Sequence, residues 1–211
     1  MFNMRKNAFS STIETLSISK ECTAILLFIF IFGISTGVFF EVMMNTDIKS
    51  DMQTYLQALL RSPIDTANGS GNSFAALLGS IVANSFAIAF ITLSGFTRFS
   101  YPASCTVLLV KGLSLGYCCA LILETLGLKG IFVIILSLFP QNTLLIPTIF
   151  ISANVAIAKA SSQKYKKNKG IVRSFNSSDV PYLYANGFLC VIVVVSCILQ
   201  SIFLPIAAKL L

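Results

Sequence analysis

Five stretches of this chain carry almost no charge, and nothing else in the sequence restricts the fold as strongly. Cys22 to Phe40 is 19 residues without a charged side chain, Ser73 to Thr97 is 25, Gly130 to Ala158 is 29 and Gly187 to Ala208 is 22. Pro102 to Gly127 holds only Lys111 and Glu124. A helix needs about 20 mostly apolar residues to cross a bilayer. Inside lipid the backbone has no water to bond, so a helix, which closes its own hydrogen bonds, is the conformation such stretches adopt. Only 11% of the 211 residues are charged and 55% are hydrophobic, whereas soluble domains carry about 25% charge. The sequence therefore predicts an all-α fold, a polytopic membrane helix bundle of about five transmembrane helices. The spans fall near 22–40, 73–97, 102–127, 130–158 and 187–208, in a single integral membrane domain over 1–211. The first span follows Arg5 and Lys6 at a distance and lacks an A-x-A site behind it, so it reads as an uncleaved span.

The net charge is +7. In a membrane protein basic residues report orientation, and no nucleic-acid partner is expected. With the N-terminus inside, ten Lys and Arg residues fall on the inner side and four on the outer. The positive-inside rule selects that arrangement: N-terminus cytoplasmic, C-terminus outside, basic loop 159–186 in the cytoplasm. Tyr101, Tyr182 and Tyr184 flank spans and read as interfacial aromatics. The outer loop between the first two spans contains MQTYLQALLRS, which can form a short helix, and SPIDTANGSGN, which reads as turn and linker. Its acids, Glu41, Asp47, Asp51 and Asp65, are expected in water.

Small residues recur every four positions: Gly33 and Gly37 in span one, Ala75, Gly79, Ala83 and Ala87 in span two, Gly112 and Gly116 in span three. Such rows let helix backbones approach closely where no hydrophobic force drives association. Span four contains LFPQNTLLIP at 138–147. A straight helix over 130–158 is about 43 Å long at 1.5 Å per residue, against a hydrocarbon core of about 30 Å. Tilt alone would have to reach about 46°, outside the usual 0–40°. The fourth helix is therefore expected to be broken between Pro140 and Pro147, each of which lacks an N–H and crowds the carbonyl four residues back. Gln141 and Asn142 then lie near mid-depth, as does Lys111. No acid shares that depth, so Lys111 either snorkels to the inner interface or joins a buried network with Asn84, Gln141 or Asn142.

The six cysteines all lie in apolar stretches, no CxxC occurs and the chain has no histidine. No metal site, disulfide framework, cofactor site or catalytic residue is expected, since nucleophile–base and paired-carboxylate patterns are also missing. Asn68-Gly69-Ser70 matches a glycosylation acceptor by chance.

KGLSLGY at 111–117, LGLKG at 126–130, LFPQNTLLIP at 138–147 and ANVAIAKAS at 153–161, which contains Asn154, occur in that order. In this the chain resembles the stage II sporulation protein M family of spore-forming bacteria, most specifically over 111–161. The resemblance implies a non-enzymatic membrane scaffold of the engulfment machinery, with no cofactor. Its implied partners are membrane lipid and the stage II sporulation proteins D and P, peptidoglycan hydrolases that thin the septal wall. It also implies a place at the forespore septum, where the scaffold anchors the P hydrolase. Self-association into a homo-oligomer is compatible with the sequence. The competing expectation is a small oligomeric transporter or channel built on the broken fourth helix.

Overall fold

The structure is a computed structural model and describes residues 20–67, 73–97, 99–165 and 180–208. Five apolar helices long enough to cross a membrane account for most of them. They are α1 (Lys20–Val42), α3 (Ser73–Ser94), α4 (Ser100–Leu126), the composite of α5 (Leu128–Val133) and α6 (Phe139–Tyr165), and α7 (Val180–Ala208). Between α1 and α3 lies the more polar α2 (Thr46–Ala67). The helical class and the five long apolar helices are those expected.

Chain direction alternates from span to span, as pairs of touching residues show. Thr23 meets Asn154 and Phe30 stacks on Phe150, so α1 and α6 are antiparallel. Ser152 meets Asn186 while Gln141 meets Cys197, so α6 and α7 are antiparallel as well. Short connections explain two of the reversals. Thr97 donates its N–H to Ser94 in the turn that closes α3, and Pro102 sits in the first turn of α4, where a missing N–H costs nothing. At the far end of α4 a single residue, Gly127, reverses the chain into α5 (Leu128–Val133) with φ +58° and ψ −137°, a region that side-chain-bearing residues avoid.

The fourth span departs from a plain α-helix in an unexpected form. After α5 comes a π-helical turn, Ile134–Leu138, with Phe139 donating its N–H to the Ile134 carbonyl five residues back. Then α6 runs from Phe139 to Tyr165. The interruption ends directly before Pro140. That proline therefore stands in the first turn of α6, where it needs no donor, and one wide π turn shifts the ladder into register for it. Pro147 lies inside α6, which continues through it. The span is one crossing, interrupted ahead of Pro140 rather than opened between the two prolines.

The core runs through all five spans: Leu26, Ile88, Ile91, Leu108, Ile149 and Val193 are buried within it. Phe28, Phe86, Phe132 and Phe188 point outward, as lipid-facing side chains must when the solvent is acyl chain. The basic cluster Lys166–Arg173, the tails bearing Arg5, Lys6 and Lys209, Arg98 and the Asn68–Ser70 acceptor lie outside the described residues.

Candidate functional site

The glycine rows of α1 and α4 face one another. A Cβ placed on Gly33 would stand 2.7 Å from the Leu109 carbonyl oxygen, and one on Gly37 2.2 Å from that of Leu113. From the other side, a Cβ on Gly112 would meet the Phe30 carbonyl oxygen at 2.5 Å, and one on Gly116 that of Ile34 at 2.2 Å. Residue numbers rise together along both helices, so the seam is parallel. It is backbone against backbone at four points, the arrangement that small-xxx-small spacing permits in lipid. The row on α3 is different: among the described residues a Cβ on Gly79 would have nothing within 4 Å, so Gly79 is no packing point there.

Behind this seam lies a buried polar network. Lys111 on α4 donates to the Asn84 side-chain oxygen on α3 at 2.5 Å. The Asn84 amide donates to the Ser80 carbonyl at 3.0 Å and lies 3.6 Å from the Cys197 sulfur on α7. Ser80 in turn has its hydroxyl 3.2 Å from the Gln200 side-chain oxygen. Gln141 on α6 points its amide at Cys197 from 4.0 Å, and its backbone carbonyl accepts from Ser196 at 3.0 Å. Of the two expectations for Lys111, the network is the one realised. The fixed geometry also explains the choice of partner: one turn of α3 brings Ser80 and Asn84 to the same face, opposite Lys111.

Asn142 donates to the Leu138 carbonyl at the end of the π turn, at 2.8 Å. With Lys111 it borders a cavity of about 20 Å³ otherwise lined by apolar residues such as Phe30 and Ile149, space for a single water. Asn154 stands apart from this group. It donates to the Phe150 carbonyl at 2.9 Å and accepts from Thr23 at 3.2 Å, tying α6 to the start of α1. The structure thus gathers Lys111, Gln141 and Asn142 around one region and places Gly112 and Gly116 on the adjoining seam. Pro140 stands behind the π turn, Pro147 within α6 and Asn154 two turns further along that helix.

Sequence reasoning missed Ser80, Ser196, Cys197 and Gln200, whose only signal is being polar or small within an apolar run. Two further expectations need correction. Tyr182 is buried, not interfacial: its hydroxyl donates to the Thr92 carbonyl at 2.8 Å and its ring meets Phe96 edge to face at 5.4 Å. Glu41 is not in water either. It is 2% exposed, and Lys49 bridges it at 3.2 Å to Glu124 at 2.5 Å. Burial of an uncompensated carboxylate would be costly, and one ammonium at the start of α2 relieves both acids. The Glu124 hydrogen bond raises the Lys49 ammonium above its ordinary value of 10.5. Asp47 and Asp51 are exposed as expected, and the side chain of Asp65 lies outside the described residues.

These features define a class: a multi-pass membrane protein whose spans are closed by a glycine seam and by internal polar contacts. Among the described residues no group of three or more metal-binding side chains gathers. The family model for stage II sporulation protein M matches residues 26–208. The chain belongs to the stage II sporulation protein M family, and it is a sporulation-related membrane protein. No curated protein and no solved structure matched it.

Proposed function

We propose that the chain is a non-enzymatic scaffold of engulfment, anchoring the stage II sporulation D and P peptidoglycan hydrolases at the septal membrane, with its N-terminus cytoplasmic and its C-terminus outside. The observation that supports anchoring over transport is how the interior polar groups are used. Lys111, Asn84, Gln141 and Cys197 bond one another across four helices, and the space beside them suits one water rather than a solute. A transporter site would leave some of these groups for its substrate. The family membership supports the sporulation setting.

The test is recovery of the D and P proteins with the full chain from sporulating membranes, set beside solute flux through the purified protein in liposomes. Co-recovery without flux is expected. Flux with neither partner recovered would reverse the reading. The bundle's shape is part of the proposal: replacing Pro140 and Pro147 by Ala together restores a regular helix, and partner recovery should fall.

A further inference from the structure

Helix α2 does not cross the membrane, yet its apolar side is only half used. Ile48, Met52 and Tyr55 fall at i, i+4 and i+7, so they share one face, and all three are exposed. Ser50 and Thr54 occupy the far side and Asp47 its border, while Asp51, three residues after Ile48 and four before Tyr55, flanks the stripe. The flank beside the stripe is fastened to the bundle at two points. Lys49 joins Glu41 at the end of α1 and Glu124 near the end of α4. Two turns later, Leu56 packs on Ile122 and Val133. The helix therefore lies across the end of the bundle, with the stripe beside the attached edge.

The level of that end is set by the spans. Only Met43, Met44 and Asn45 separate α1 from α2, and Val42 and Met43 are themselves exposed apolar residues. The stripe therefore follows the lipid-facing surface of α1 after a short connection that holds the exposed Asn45. A helix with a large apolar face at this level, polar on its far side, has the pattern of one lying in the membrane–water interface, where Tyr is also favoured.

We propose that α2 is an interfacial helix whose Ile48–Met52–Tyr55 stripe is seated in the headgroup and upper acyl region of the lipid, with Lys49 and Leu56 holding it at that depth. The headgroup chemistry follows from charge. Lys49 is engaged by two carboxylates, Asp47 borders the polar side and the residue flanking the stripe, Asp51, is acidic, so no basic arc is turned to the lipid. The contact is with neutral, zwitterionic lipid and needs no anionic headgroup.

The chain has no tryptophan, which makes the experiment clean. Tyr55→Trp and Met52→Trp each give the full-length protein one reporter on the stripe, and Ser50→Trp gives one on the opposite face. Each variant is reconstituted in phosphatidylcholine vesicles, with lipids carrying a nitroxide either near the headgroup or near the chain end, and with iodide in the aqueous phase. The stripe reporters should emit blue-shifted light, be quenched more by the shallow nitroxide than by the deep one, and be shielded from iodide. Ser50→Trp should emit as in water and be quenched by iodide. Adding phosphatidylglycerol or salt should change neither result. Water-like emission and open iodide quenching at positions 52 and 55 would overturn the proposal. So would a blue shift that appears only when another protein is added, since the stripe would then be a protein-docking face. Two independent stripe positions keep the outcome readable if one variant folds poorly.

Discussion

Replacing Gly116 by Ala should destabilise the bundle, while the same substitution at Gly79 should not. The new Cβ at position 116 would stand 2.2 Å from the Ile34 carbonyl oxygen, with Ile34 Cα at 3.0 Å. Both are backbone atoms, so no rotamer change relieves the clash. Ordinary contact begins near about 3.5 Å, so α1 and α4 have to part by roughly 1 Å. A gap of about 0.5–1 Å already forfeits a quarter to a half of each dispersion contact it opens. Overpacking of this kind costs about 1–3 kcal/mol. Against it stands the gain of about 0.5–1 kcal/mol when Ala replaces Gly within a helix. The net is a loss on the order of 1 kcal/mol, several-fold in the folding equilibrium at 1.4 kcal/mol per decade. At Gly79, where a Cβ meets no described residue within 4 Å, only the gain remains. The two variants should therefore move in opposite directions when unfolded in mixed micelles by increasing dodecyl sulfate, followed by the distance between probes on α1 and α4. Equal stability of the two, or a Gly116→Ala protein as stable as the parent, would refute the backbone seam.

Lys111→Leu should lower stability by about 1–3 kcal/mol, because the Asn84 oxygen loses its donor inside the bundle; adding Asn84→Leu should cost much less than it does alone, a coupling that a double-mutant cycle in the same assay reads. Gly127→Ala should weaken the α4–α5 reversal by about 1–3 kcal/mol, since φ +58° with ψ −137° is a conformation only glycine adopts freely, and it should appear as faster proteolysis at that turn. The Lys49 link has a stated pH dependence. Its ammonium is raised in the folded state, so the stabilisation is complete below the ordinary value of 10.5 and is lost as pH rises through the higher folded value. Spin labels on α2 and α4 should accordingly hold a constant distance through neutral pH and separate in strong base, and Lys49→Met should show the separated distance throughout.

The spans could be read from the sequence because lipid allows so few alternatives: a long uncharged stretch must close its backbone bonds internally. The glycine rows at 33/37 and 112/116 were legible as candidates for close approach. Their pairing with each other was not, because spacing shows a face and not what it meets, and for the same reason the row containing Gly79 looked equivalent. LFPQNTLLIP announced an irregularity, but Pro140 leaves the helix free to absorb it upstream, and Ile134–Leu138 carries no residue that marks a π turn. Lys111 was ambiguous since snorkelling and burial differ only in whether a neighbouring helix offers an oxygen, here Asn84. The network's other members are ordinary small or polar residues in apolar runs. The paired state of Glu41 was hidden too, since Lys49 and Glu124 become its neighbours only when α2 folds back over the end of α4.

The most direct measurement of the central claim, a bundle sealed around its own polar groups, uses a native side chain at its heart. Cys197 is 1% exposed and lies among Ser80, Asn84 and Gln141. In the full chain with the other five cysteines changed to Ala, a charged maleimide added to native membranes should leave Cys197 unmodified until the protein is unfolded in dodecyl sulfate. Ready labelling of Cys197 in the folded protein would contradict the account, for it would mean that water and solutes reach the network between the helices.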